Sequence, residues 1–192
     1  MKIALTGGIA CGKSTAGTAF AKRGCAVLSA DAIAHEVLDS AEVAGELREI
    51  FGGDVFLAEG RVNRVALGAA VFSDAGLRRR LEAVVHPRVE ARWRAAVAGA
   101  PTQTWVIEVP LLFEARLEAG FDAVACVHCS EAVQRGRMAA RGLSAAEGAL
   151  RIAAQWPLAE KMRRAQVCLF NEGALEFLEA QVTAVLRELR QS

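Results

Sequence analysis

No apolar run in the chain approaches the roughly 20 residues that a membrane-crossing helix requires. The basic, apolar and small-residue regions of a signal peptide are missing too, because the N-terminus enters a β-type run directly. Both absences predict a soluble, cytoplasmic protein with no membrane partner. Cysteine is sparse and unpatterned: five residues, an odd number without regular spacing, fit free thiols in a reducing compartment better than a disulfide framework. Histidine is scarcer still. Cys126-Val127-His128-Cys129 resembles part of a metal site, but only His35 and His86 remain to complete the four ligands of tetrahedral zinc. That stretch is therefore read as strand-end packing.

Uncompensated positive charge is missing as well. The 23 Lys and Arg against 22 Asp and Glu leave a net charge of +1. Binding nucleic acid through a broad basic face is excluded on that balance, while a small, concentrated anion site is not. No internal repeat, low-complexity tract or disordered linker interrupts the chain. Nothing in it fixes the assembly beyond a monomer or small homo-oligomer.

The 192 residues are 53% hydrophobic, enough for one compact body with insertions. Short, almost wholly apolar runs, Ile3 to Leu5, Ala26 to Leu28, Trp105 to Val109, Ala123 to Val127 and Val167 to Phe170, alternate with longer helical stretches. That pattern predicts an α/β fold: a five-stranded parallel sheet with helices on both faces. From Asp31 to Thr104 no convincing strand occurs. Apolar positions there recur at helical spacing, Val43, Leu47, Ile50 and Phe51 in one stripe and Leu77, Leu81, Val84 and Val85 in another, with turns at Gly52-Gly53 and Gly99-Ala100-Pro101. Such an insertion has the size of a substrate-covering subdomain. Ser144-Ala145-Ala146-Glu147 has capping-box spacing and follows Arg135, Arg137 and Arg141, so a cationic helical hairpin is expected between the fourth and fifth strands. The last helix, Ala174 to Leu189, carries Leu175, Leu178, Val182, Val185 and Leu189 on one face.

Gly7 through Ser14 fits G-x-x-x-x-G-K-[ST] between a strand and a helix. Glycines let such a loop wrap a polyphosphate, so that the backbone N–H groups of Gly8, Ile9, Ala10, Cys11, Gly12, Lys13, Ser14 and Thr15 and the positive end of the following helix face it. Lys13 then reaches the β- and γ-phosphates, and Ser14 offers a hydroxyl to Mg²⁺. The stretch holds a nucleoside triphosphate.

Other candidates lie at strand ends, where open α/β sheets bind ligands. Asp31, just beyond the second strand, is either a base for an attacking hydroxyl or a helix N-cap. Glu108 and Glu114 bracket the end of the third strand. Glu108 is the better placed to orient a metal-bound water, with an ion pair to some arginine as the alternative. Arg137 and Arg141, four apart, are either a lid that clamps the transferring phosphoryl or a solvated basic face. Asn171-Glu172-Gly173 either meets a purine ring or makes a simple turn. Cys11 sits at a helix N-terminus that favours a thiolate, which makes it a candidate for oxidative inhibition. Arg78-Arg79-Arg80 is the exposed side of a helix.

From end to end the chain resembles the dephospho-CoA kinase family. The stretches "LTGGIACGKST", "AVLSADAIAHEV", "GRVNRVALGAAVF", "HPRV", "VIEVPLLFE", "RIAAQ" and "LFNEG" occur in that family's order. The resemblance implies a P-loop kinase that transfers the γ-phosphoryl group of ATP to the ribose 3'-hydroxyl of dephospho-coenzyme A. On matching positions it implies Asp31 as base with Lys13 and Arg141 as catalytic partners. The loop with Arg137 and Asn171 would bind ATP. Thr6, Asp31, Arg64, His86, Pro87 and Leu111 would bind the acceptor, and Ser14 with Glu108, through water, would hold Mg²⁺. It further implies a nucleotide-binding core at 1–30 and 104–192, an acceptor subdomain at 31–103 and a lid at 135–160. Glu108 and Ser29 depart from positions where the family usually has Asp, and Gln166 replaces an Asp ahead of the last strand. Rival readings are a P-loop kinase for a nucleoside monophosphate or sugar acid, and a nucleotide-gated switch. The switch is weakened by the lack of an Asn-Lys-x-Asp stretch.

Overall fold

The computed structural model describes residues 1–191. In chain order its elements are β1 (Lys2–Gly7), α1 (Lys13–Ala21), β2 (Ala26–Ser29), α2 (Ala30–Leu38), α3 (Ala41–Phe51), α4 (Arg64–Ser73) and α5 (Ala75–Gly99). There follow β3 (Trp105–Glu108), a 3-10 turn (Glu118–Gly120), β4 (Ala123–His128), α6 (Glu131–Ala140), α7 (Ala145–Ala153), α8 (Leu158–Arg164), β5 (Val167–Phe170) and α9 (Leu175–Leu189). They form two compact units: Met1–Ser29 with the chain from Ala100 onward, and Ala30–Gly99.

In the first unit the five strands pair in the order β2-β3-β1-β4-β5, all parallel. The apolar runs read from the sequence are these strands. They need no polar face because helices cover both sides: Ile3, Ala4 and Leu5 of β1 are fully buried, as are Val106 and Ile107 of β3. One core joins Ile3, Leu5, Phe20, Leu178, Val182 and Leu186, each large side chain contributing roughly 1.5–3 kcal/mol by leaving water. The stripe on α9 differs from expectation at one end. Leu175, in the first turn, is 45% exposed because the helix begins beyond the edge of the core, and Leu186 joins the buried face instead. Gln166 takes over an edge contact of the sheet, its Oε1 accepting the Val124 N–H at 2.8 Å.

The second unit is helical. Val43 and Leu47 of α3 are buried, and Gly52 ends that helix at φ 72°. Asn63 caps α4, its side chain accepting from the N–H groups of Val65 and Ala66. On α5, Val84 and Val85 are buried as the apolar stripe predicts, and Val89 and Trp93 extend it. This helix runs 25 residues straight through Pro87. Arg88 braces the same stretch: Nη1 donates to Val84 O at 2.8 Å, Nε to Glu42 and Nη2 to Glu46. Between α3 and α4, Phe56 and Val62 form a single antiparallel bridge outside the sheet. No helix among the described residues is long and apolar enough to cross a membrane.

Candidate active site

The loop between β1 and α1 is built to present donors. Gly12 precedes α1 at φ 90°, and a Cβ there would stand 1.9 Å from Asn171 Nδ2, so only glycine allows both the turn and the contact. No side chain caps α1, and a helix N-terminus of this kind favours an anion. Ala10 also takes a positive φ, 56°. Lys13 Nζ donates to Gly7 O at 3.2 Å and Gly8 O at 3.0 Å, which holds the ammonium over the loop.

The next three carbonyls are fastened from α6 and from the turn after β5. Gln134 Nε2 donates to Ile9 O at 2.7 Å. Arg137 Nη1 donates to Ala10 O at 3.4 Å and Cys11 O at 3.3 Å, and its Nη2 to Asn171 O at 3.0 Å. Asn171 Nδ2 donates to Cys11 O at 2.8 Å. In a trans peptide the C=O and N–H point to opposite sides, so holding Ile9 O and Cys11 O turns the N–H groups of Ala10 and Gly12 the other way, while the Cys11 N–H donates to Gly8 O at 3.3 Å.

This arrangement shows where several of the expected site residues stand. Arg137, in α6, has its guanidinium engaged by loop and turn carbonyls. Arg141 is the C-cap of α6, exposed and just past the helix face that Arg137 occupies. Asn171 is 8% exposed, and its side-chain amide braces the loop through Cys11 O. Thr6 is fully buried and donates to Pro110 O at 3.3 Å. That bond ties the end of β1 to the Pro110 turn. Cys11 is fully buried in the core, shut off from an oxidant. Burial also pushes the neighbouring thiols Cys126 and Cys129 up to about 12. All five cysteines are free.

Glu108, at the end of β3, accepts from Ser14 Oγ at 3.2 Å through Oε2. Two hard oxygen donors thus meet at the start of α1. No group of three His, Cys, Asp or Glu able to hold a metal exists among the described residues. A cation that keeps waters and takes phosphate oxygens, as Mg²⁺ does, suits so sparse a donor set. Glu114 serves a different end. Its Oε1 pairs with Lys161 Nζ at 2.8 Å and accepts the Trp156 N–H at 2.8 Å. Leu111 is exposed beside it in sequence.

In the helical unit, Asp31 stands in the first turn of α2, inside the helix, so the N-cap reading is wrong by two positions. A carboxylate there is favoured by the helix dipole. Asp31 and His86 line one cavity of about 300 Å³, with Leu38, Leu81 and Val85 among its walls. Pro87 follows on exposed α5 surface, and Arg64 is ion-paired with Asp39 at the start of α4.

Sequence reading missed Gln134 and Lys161, and took Glu172 only as part of the turn after the fifth strand. Gln134 and Lys161 are polar residues on otherwise apolar helix faces, beside Val133 and Met138 in one case and Leu158 in the other, which was the available signal. Glu172 accepts the Ser130 N–H at 2.9 Å, a bond that holds its carboxyl below the usual range.

Comparison with known proteins gives a consistent result. The dephospho-CoA kinase family model matches residues 1–176. A dephospho-CoA kinase of Deinococcus radiodurans is 45% identical over 98% of this chain and 92% of its own. The crystal structure of TT1252 from Thermus thermophilus is 37% identical, with a TM-score of 0.87 over 98% of this chain and 97% of that one. A shikimate kinase of Bacteroides thetaiotaomicron, 17% identical, shares the fold alone, with a TM-score of 0.58 over 99% and 98%.

Proposed function

The chain belongs to the dephospho-CoA kinase family, and from that premise we propose how its residues divide the reaction. The enzyme transfers the γ-phosphoryl group of ATP to the ribose 3'-hydroxyl of dephospho-CoA, giving coenzyme A and ADP. The observation that carries this reading is the family match across residues 1–176, which takes in the complete phosphate loop. It favours neither a nucleoside monophosphate or sugar acid acceptor nor a switch.

Amides of residues 8–15 and the Lys13 ammonium hold the β- and γ-phosphates. The acceptor belongs to the helical segment 31–103, with Asp31, Arg64, His86 and Pro87, and to Leu111 of the core at 1–30 and 104–192. The 3'-oxygen attacks phosphorus in line as the bond to the β,γ-bridging oxygen breaks. Asp31 accepts the hydroxyl proton late, because the transition state is loose and the alcohol needs little activation until the bond forms. Arg141 meets charge spreading onto the equatorial oxygens, where it stabilises the transition state more than the ground state. Ser14 and, through water, Glu108 would hold Mg²⁺, which neutralises phosphate charge when bound. The protein works in the cytoplasm as a monomer or small homo-oligomer, without nucleic acid or membrane.

Incubation with ATP and dephospho-CoA, followed by mass spectrometry, tests the reading. A product heavier by one phosphoryl group is expected, formed with equimolar ADP. ADP formed without that product would refute it.

A further inference from the structure

We propose that Gln134 is a positioning residue for nucleotide binding: its amide fixes the peptide plane that aims the phosphate loop. The inference rests on the reading of residues 8–15 as the ATP site and adds a residue assigned to neither phosphate nor acceptor. Gln134 is only 7% exposed, and its 2.7 Å bond to Ile9 O is the shortest of the side-chain bonds to the loop. The residue after Ile9 is Ala10, whose φ of 56° is a conformation that an alanine keeps only when its surroundings hold it. Both peptide planes flanking Ala10 are held. Arg137 fastens the one after it, through Ala10 O, and Gln134 fastens the one before it, through Ile9 O. Since C=O and N–H oppose each other across the plane, drawing Ile9 O toward α6 turns the Ala10 N–H the other way. Arg137 cannot replace this action, because it bonds only carbonyls that follow.

The fit is close on the other side too. A Cβ at position 8 would lie 3.0 Å from Gln134 Nε2, so the amide is packed against the loop itself. Losing it would leave the part-buried Ile9 carbonyl without its donor and Ala10 without one of its two restraints.

Two variants test the assignment. Gln134→Leu removes the donor at similar volume. Gln134→Glu keeps the shape but, when ionised, offers only acceptors to Ile9 O. The readouts are calorimetric affinity for a non-hydrolysable ATP analogue, KM for ATP and for dephospho-CoA, and melting temperature without nucleotide. Both variants should bind the analogue about tenfold more weakly and show a KM for ATP about tenfold higher, the order expected for one hydrogen bond, with KM for dephospho-CoA unchanged. Gln134→Glu should also recover toward wild type as pH falls, because the protonated acid donates to Ile9 O; wild type over the same pH range is the control. That recovery is read within one preparation, so it holds even if the Leu variant does not fold. Wild-type affinity in both variants, or equal losses for both substrates without recovery in acid, would overturn the proposal. Failure of the wild type to bind the analogue would instead overturn the ATP reading of the loop, and this inference with it.

Discussion

Gly17 and Glu108 are fitted to each other: a Cβ at position 17 would stand 2.4 Å from Glu108 Oε1. Bare backbone on α1 thus admits a carboxylate one methylene longer than the aspartate usual in the family, and lets it reach Ser14. Gly17→Ala separates this fit from stability. Alanine favours a helix by about 1 kcal/mol over glycine, and the atom it meets is the movable end of a side chain. Melting temperature should therefore stay level or rise, while the Mg²⁺ concentration for half-maximal activity increases. Shortening Glu108 to Asp in the same chain should restore part of the loss. A Mg²⁺ titration that does not distinguish Gly17→Ala from wild type would remove Glu108 from the metal site.

Asp31→Asn keeps the size of the side chain and its place in the first turn of α2 but cannot accept the proton. Loss of a general base costs about a hundredfold to ten-thousandfold in turnover. Affinity for an ATP analogue should be unchanged, because the phosphate loop supplies that binding. Single-turnover kinetics with near-normal rates would exclude Asp31 as base.

The parts of the molecule legible in sequence are those whose information is local. Ile3-Ala4-Leu5 and Val106-Ile107 read as strands because burial on both faces leaves no polar alternation. Ser144 and Glu147 form the expected capping box, a motif closed within four residues. The phosphate loop is likewise contiguous. What stayed hidden was direction. Arg137, Asn171 and Thr6 are the polar types that a nucleotide or acceptor site uses, yet each turns to a backbone carbonyl far along the chain. Gln134 and Ile9, or Lys161 and Pro110, are brought together by strand order, which periodicity does not encode.

Glu172 ties the turn after β5 to the start of α6 through the Ser130 N–H. That bond, more than the nearby Arg137, lowers its folded pKa from 4.5. A carboxyl depressed in the folded state contributes stability that is present above its unfolded pKa and is lost as pH falls through the folded value. The contribution therefore disappears below pH 4.5. Gln at 172 can still accept the bond but cannot titrate. The stability difference between wild type and Glu172→Gln, followed by urea unfolding from neutral pH downward, should narrow below that point. A difference independent of pH would mean that the charge contributes nothing.

Lys161 is fully buried, and its ammonium donates to Pro110 O at 2.7 Å and pairs with Glu114 Oε1 at 2.8 Å. Glu114 in turn accepts the Trp156 N–H, while its Oε2 is buried with no hydrogen-bond partner among the described residues. The pair thus joins the turn after β3 to the chain entering α8, at the cost of desolvating both charges. Removing one partner strands the other: Lys161→Met or Glu114→Gln should each lose about 3–5 kcal/mol of unfolding free energy. Replacing both, Lys161→Met with Glu114→Gln, removes the uncompensated charge and should lose less than the sum of the single changes. Urea denaturation of the four proteins measures the coupling. Single losses within about 0.5 kcal/mol, the range of ordinary surface substitutions, would show that water reaches the ammonium and that the pair does not hold the turn.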